Sequence, residues 1–215
     1  MRVIVVRHYK TLINVSNQIM GWGDSPRAKD WQADLAFVDR ILRKHHLNFD
    51  AIYTSHLERS RQTGIYYAEK RQISLLHNAP ELNEINYGSL FRKNKKWVEN
   101  NFPRHKKDPD FVYPKGESFR QMQKRSVKFL LSLGKRHKSE TILVVIHAGV
   151  IRGMVSNLLQ LPYEENLKRK ISHRYIGEFL IEGKRCVGYN ELGKASGFVA
   201  KDGISIPWKL NSDAH

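Results

Sequence analysis

Two histidines and two arginines stand where short apolar runs of this sequence end. Arg7-His8 follows the run of residues 2–6, Arg59 opens the stretch after FDAIYTS (49–55), and His147 directly follows TILVVI (141–146). Guanidinium groups grip phosphate or sulfate oxygens two at a time. Two Arg and two His brought to one point therefore outline a phosphate or sulfate pocket. Metal binding is the competing use of paired histidines. No third ligand stands at helical or Cys-x-x-Cys spacing, and the adjacent arginines repel a cation, so no metal and no cofactor are expected.

The elements that must position these residues can be read from periodicity. Residues 2–6 are short, continuous and rich in Val and Ile, which predicts a buried parallel strand. Strands are also predicted at 49–55 and 141–146, and a closing hairpin at 176–181 and 185–190 around Glu182-Gly183-Lys184. Helices are predicted at 30–46, 57–72, 119–138 and 149–161; in the first, Trp31, Leu35, Val38 and Leu42 repeat at the helical period. Alternation of strand and helix implies an α/β fold, a three-layer α/β/α sandwich with a mostly parallel central sheet. In such sheets ligands bind beyond the carboxyl ends of the strands. Those ends carry the Arg and His residues, and a helix starting after His147 adds free N–H groups suited to an anion.

Residues 88–116 break the alternation with a basic, aromatic, proline-punctuated stretch. It is expected as an insertion over the carboxyl edge of the sheet, either a lid or a solvated excursion, within a single domain of residues 1–215. Across the chain, 37 Lys and Arg stand against 21 Asp and Glu, a net charge of +16. Such a field attracts anions, whether small phosphate esters or polyanions. No helix-turn-helix, RNA-recognition or zinc signature accompanies it, so nucleic acid is not the expected partner. The single Cys186 allows no internal disulfide. No apolar run approaches the roughly 18 residues of a membrane span, and the opening residues are unlike a signal peptide. A cytoplasmic location without membrane association is expected. The sequence carries no signature of an oligomeric state.

Several segments together resemble a known family. VVRHYKTLIN resembles the RHG-x-T-x-x-N opening of the histidine phosphatase (phosphoglycerate mutase-like) superfamily. GWGDSP (21–26), YTSHLERSRQT (53–63), ELNEINYGSL (81–90), GES (116–118) and LVVIHAGVIRG (143–153) resemble its later motifs in the same order. The resemblance spans roughly residues 1–160. It implies that His8 is the nucleophile that takes the phosphoryl group, that Arg7, Arg59 and His147 clamp its oxygens, and that Glu84 donates a proton to the leaving group. Asn14, with Thr11 close by, and the backbone at Gly21 and Ala148 would add hydrogen bonds. Three positions depart from the pattern: Tyr9 and Ala148 replace glycines, and Met20 stands where mutases carry a small hydroxyl residue. Tyr9 is expected to have a negative φ, its ring either lining the substrate side of the pocket or packing under the loop at 10–22.

The expected activity is metal-independent hydrolysis of a small anionic phosphomonoester through a phosphohistidine. The stretch after the Glu motif is short, as in the phosphatase branches, which argues against the alternative of phosphoglycerate mutase-type transfer. A catalytically degenerate protein that binds phospho-ligands or nucleic acid is the alternative from another class. The lid residues Arg92, Lys93, Lys95, Lys96, Arg104, Lys106 and Lys107 fit a substrate with more than one negative charge.

Overall fold

A computed structural model of the protein describes residues 1–193; the remainder of the expected domain lies outside the described residues. Its centre is the strand β1 (Arg2–Arg7), whose residues Val3 to Val6 are wholly buried. Side chains alternate across a strand, so this continuous apolar run fills two layers at once. Val3 and Val5 face one apolar layer, Ile4 and Val6 the other. Removing each such side chain from water contributes roughly 1.5–3 kcal/mol as an upper estimate.

In chain order come α1 (Leu12–Val15), α2 (Trp31–Lys44), β2 (Ala51–Thr54), α3 (Glu58–Arg71) and β3 (Leu76–Asn78). The chain then continues through α4 (Lys95–Asn101), α5 (Phe119–Arg136), β4 (Thr141–Ile146), α6 (Ala148–Leu158), α7 (Tyr163–Lys168), β5 (Ile176–Glu182) and β6 (Arg185–Glu191). The six strands form one sheet in the order β3-β2-β4-β1-β5-β6. β1, β2, β3 and β4 run parallel, and β5 and β6 complete the sheet antiparallel. Leu35, Val38 and Leu42 of α2 and Tyr67 of α3 cover one face. Met122, Val127, Leu130 and Leu133 of α5 and Val150, Ile151, Met154 and Val155 of α6 cover the other. This is the expected mixed α/β sandwich. The predicted helices and strands are present with ends shifted by a few residues. β3, α1, α4 and α7 were not anticipated, because each is too short to show a period.

Residues 88–116 are largely exposed and are anchored to the core at three buried side chains. Leu90, Val98 and Tyr113 are buried in the α5/α6 layer. The Tyr87 and Tyr113 rings meet at a tilt with centroids 4.6 Å apart, and Phe111 meets Tyr113 edge-on at 5.3 Å. Main-chain bonds between Ile19 and residues 92 and 93 tie this stretch to the loop after β1. The GES segment is explained by close contacts. A Cβ on Gly116 would lie 2.2 Å from the Asn86 carbonyl oxygen, so only glycine fits. Ser118 and Gln121 form a reciprocal capping box that starts α5.

Candidate active site

β1, β2 and β4 end side by side, and their ends bring together His8, Ser55 and His147. His8 is 2% exposed. Its main-chain N–H still donates to Ile146, continuing the β1–β4 ladder. Its Nδ1 lies 2.6 Å from the Tyr9 carbonyl oxygen. A carbonyl only accepts, so Nδ1 carries the proton and Nε2 keeps its lone pair. Burial, followed by the charge of Arg59, the neighbouring His147 and Arg7, holds the His8 pKa well below its ordinary value. The ring is therefore neutral, as a nucleophile requires.

His147 stands 5.0 Å from His8, centroid to centroid. Its Nε2 is 2.7 Å from the Ser55 hydroxyl, which also accepts from the Leu57 N–H. In the tautomer in which the hydroxyl donates to Nε2, Nδ1–H remains as a donor. Burial and the charges of Arg59 and Arg7 keep this imidazole neutral too. Arg59, 2% exposed, enters from the first turn of α3 and donates to the carbonyls of Gly21 at 2.6 Å and Gly23 at 2.9 Å. Arg7 donates to the Ile171 carbonyl at 2.6 Å. Burial pulls both guanidinium pKa values down to about 10, which leaves them charged at neutral pH. The Nε atoms of Arg7 and Arg59 and Nδ1 of His147 are buried without a hydrogen-bond partner among the described residues. Buried donors are nearly always satisfied. Three such N–H groups around one neutral imidazole suit the oxygens of a tetrahedral oxyanion.

Glu84 reaches the site from a loop. Its carboxylate accepts from the Gly149 N–H at 3.1 Å, in the first turn of α6, and from the Ile85 N–H at 3.0 Å. A Cβ on Gly149 would lie 2.3 Å from Glu84 Oε1, so glycine there makes room for the carboxylate. The loop is held through its main chain. The Glu84 carbonyl accepts from Trp22 Nε1 at 2.5 Å and from Arg125 at 2.9 Å, and Arg125 pairs with Glu117 at 2.6 Å. Glu117 in turn accepts from the Asn86 N–H.

The remaining anticipated residues take different parts. Thr11 and Asn14 bond to each other in the capping box of α1, so they shape the loop after His8. The buried Met20 sulfur accepts from the Thr11 hydroxyl. Gly21 has φ +55° and lies close to the Ile85 carbonyl and Tyr87, a conformation and a fit that favour glycine. Ala148 opens α6, and neither it nor Tyr9 has a positive φ, so glycine is required at neither position. The Tyr9 ring is 4% exposed; it packs edge-on against Trp31 at 5.6 Å, with Arg27 over both rings. That places the ring in the α2/α3 layer. Ser55, Glu117, Arg125, Gly149 and His173 were not singled out from sequence as parts of the site. Ser55, Glu117 and Gly149 lie within YTSHLERSRQT, GES and LVVIHAGVIRG, and spacing alone assigned them no partner.

No cluster of three or more His, Cys, Asp or Glu that could hold a metal ion occurs among the described residues. No helix among them is long and apolar enough to cross a membrane.

The chain is 28% identical over 179 residues to a 2,3-bisphosphoglycerate-dependent phosphoglycerate mutase of Bartonella henselae, covering 79% of this chain and 87% of the mutase. In fold it is similar to the alpha-ribazole phosphatase of Shigella flexneri, with TM-score 0.77, 24% identity, and coverage of 90% of this chain and 96% of the other. A phosphoserine phosphatase mutant of Entamoeba histolytica, in complex with phosphoserine, gives TM-score 0.74 at 20% identity, covering 88% and 96% of the two chains. Residues 3–190 match the family pattern of the histidine phosphatase superfamily, branch 1. With that match spanning the strand ends that carry both histidines and both arginines, the chain belongs to the histidine phosphatase superfamily.

Proposed function

We propose that the protein hydrolyses phosphomonoesters through a phosphohistidine on His8. The observation that carries this reading is the Nδ1–H bond from His8 to the Tyr9 carbonyl, which leaves the Nε2 lone pair beside Arg7, Arg59 and His147. Nε2 attacks phosphorus in line as the P–O ester bond breaks, and the leaving oxygen takes a proton from Glu84. The guanidiniums and the His147 N–H stabilise the charge that spreads over the equatorial oxygens. Water then attacks the phosphohistidine, giving its proton to the Glu84 carboxylate, and inorganic phosphate leaves. Positive charge comes from the Arg side chains and hydrogen-bond donation from His147, so turnover is expected to persist in EDTA.

The substrate is proposed to be a small ester with a second anionic group. The half-buried Lys95 supports this. Burial, then repulsion by Arg7 and Arg152, lowers its pKa, so these three cations face one region beside the phosphate clamp. The mutase relative favours a second reading, transfer between positions of a phosphorylated acid. Release of phosphate from p-nitrophenyl phosphate and a panel of phosphorylated acids, with product isomers followed by NMR, separates the two. Rapid quenching with a radiolabelled ester is expected to show an acid-labile adduct on His8. His8→Ala retaining a tenth of the wild-type rate would overturn the assignment.

A further inference from the structure

The sheet leaves His8 with a main-chain carbonyl to satisfy. β1 pairs with β5 only as far as Val6, opposite Ile176. Beyond that point the preceding chain, residues 169–175, leaves the sheet and turns at His173-Arg174, with Ile171, His173 and Tyr175 buried and Ser172 and Arg174 exposed. Arg169, Ile171 and His173 of this segment bond to Arg152, Arg7 and His8. The Arg169 carbonyl accepts from Arg152 at 2.9 Å, and the Ile171 carbonyl accepts from Arg7 at 2.6 Å. His173 Nδ1 lies 2.9 Å from the His8 carbonyl oxygen and must be the donor. The His173 ring stands edge-on to the His8 ring, with centroids 5.6 Å apart. Next along, Arg174 pairs with Asp34 at 2.7 Å, and Asp34 also meets Lys10 at 3.3 Å, beyond the nucleophile.

We infer that Arg169–His173 is a positioning strap for phosphoryl transfer, in which the Ile171 carbonyl aims Arg7 and the His173 imidazole fixes the main chain of His8. The His173 side chain takes the place of the ladder bond that β5 no longer supplies. The same carbonyl-to-imidazole bonding then continues one residue on, where the Tyr9 carbonyl holds His8 Nδ1–H and so selects its tautomer. Burial and the charge of Arg7 hold His173 down to about 4, so it is a neutral donor that adds no charge beside the nucleophile. In-line attack is sensitive to small errors: a misplacement of about 1 Å costs on the order of 10²-fold in rate.

This role rests on the reading of His8 as nucleophile, and the experiment separates the two. His173→Leu keeps bulk and removes the donor; it is expected to lower kcat about 30-fold with KM within about threefold. His173→Asn places an amide N–H where Nδ1 stood and is expected to recover most of that loss. Nitrogen-15 NMR of the His8 ring at pH 7 is expected to show one Nδ1–H tautomer in the wild type and in His173→Asn, and a mixture in His173→Leu. If His173→Leu does not fold by circular dichroism, His173→Ser, too short to reach the carbonyl, takes its place with the same expectations. A kcat within threefold of wild type, an Asn variant no better than Leu, or an unchanged tautomer would overturn the strap. Absence of a His8 adduct in the wild type would overturn the hydrolytic reading instead, with the NMR comparison still deciding the strap.

Discussion

His8, Arg7 and His147 stand at the ends of β1 and β4, two strands paired residue by residue from Arg2 and Thr141 to Arg7 and Ile146. Glu84, facing them, stands in a loop with no strand beneath it. Trp22, Arg125, Glu117 and Gly149 hold that loop, contributed by four separate parts of the chain. The side proposed to hold the phosphate thus inherits much of its geometry from a ladder of main-chain hydrogen bonds. The side proposed to serve the leaving group assembles its geometry from hydrogen bonds among a loop and side chains of distant segments. Damage to the first should fall on every substrate alike. Damage to the second should fall on substrates that need a proton.

The largest effect is expected for Arg59→Ala. It removes a buried donor of the clamp and the two bonds that hold the carbonyls of Gly21 and Gly23. Loss of kcat/KM should be about 10³-fold, equal for alkyl and nitrophenyl phosphates. A loss confined to alkyl esters would break the proposed division of the site.

Glu84→Gln tests the other side. Alkyl esters should slow by about 10²-fold or more, and nitrophenyl phosphate, with its good leaving group, by less than about tenfold. Gly149→Ala sharpens the point without touching an ionisable group. Its methyl would displace the flexible end of Glu84 while the fold stays intact. The same selectivity is expected, reduced to about tenfold on alkyl esters. Equal effects on both ester classes would assign Glu84 to positioning alone.

The smallest effect is on stability. His8, His147 and His173 all have lowered pKa values, burial being the first cause in each. Unfolded imidazoles take up protons below about pH 6.5, whereas folded His173 does so only near 4. The unfolded chain therefore binds more protons in this window, and stability falls as the pH drops from 6.5 towards 4. The slope is about 1.4 kcal/mol per pH unit for each group within its window. Calorimetry in phosphate-free buffer at pH 7, 6 and 5 should show it, and His173→Asn should reduce it by one group's share. An unchanged slope would mean that His173 titrates normally.

The two sides differed as much in legibility as in construction. Arg7, His8, Arg59 and His147 were readable because a buried strand announces itself by composition, and the residues just past its end lie at the carboxyl edge of the sheet. Glu84 was readable only through resemblance, since nothing local marks a loop glutamate as functional. Tyr9 illustrates the opposite limit. The absence of a positive φ was foreseeable from its size, but the direction of its ring depended on Trp31 and Arg27, far along the chain.

By itself the sequence determined the strand and helix periods, the two-layer burial of β1 and the chemistry waiting at three strand ends. These depend on neighbours within a few residues, and local spacing records them. Only the tertiary structure decided that β5 runs antiparallel beside β1, that it releases β1 after Val6, and that His173 then meets the His8 carbonyl across 165 positions. Periodicity carries no strand direction, and a hydrogen bond between residues so far apart leaves no trace in the spacing of either.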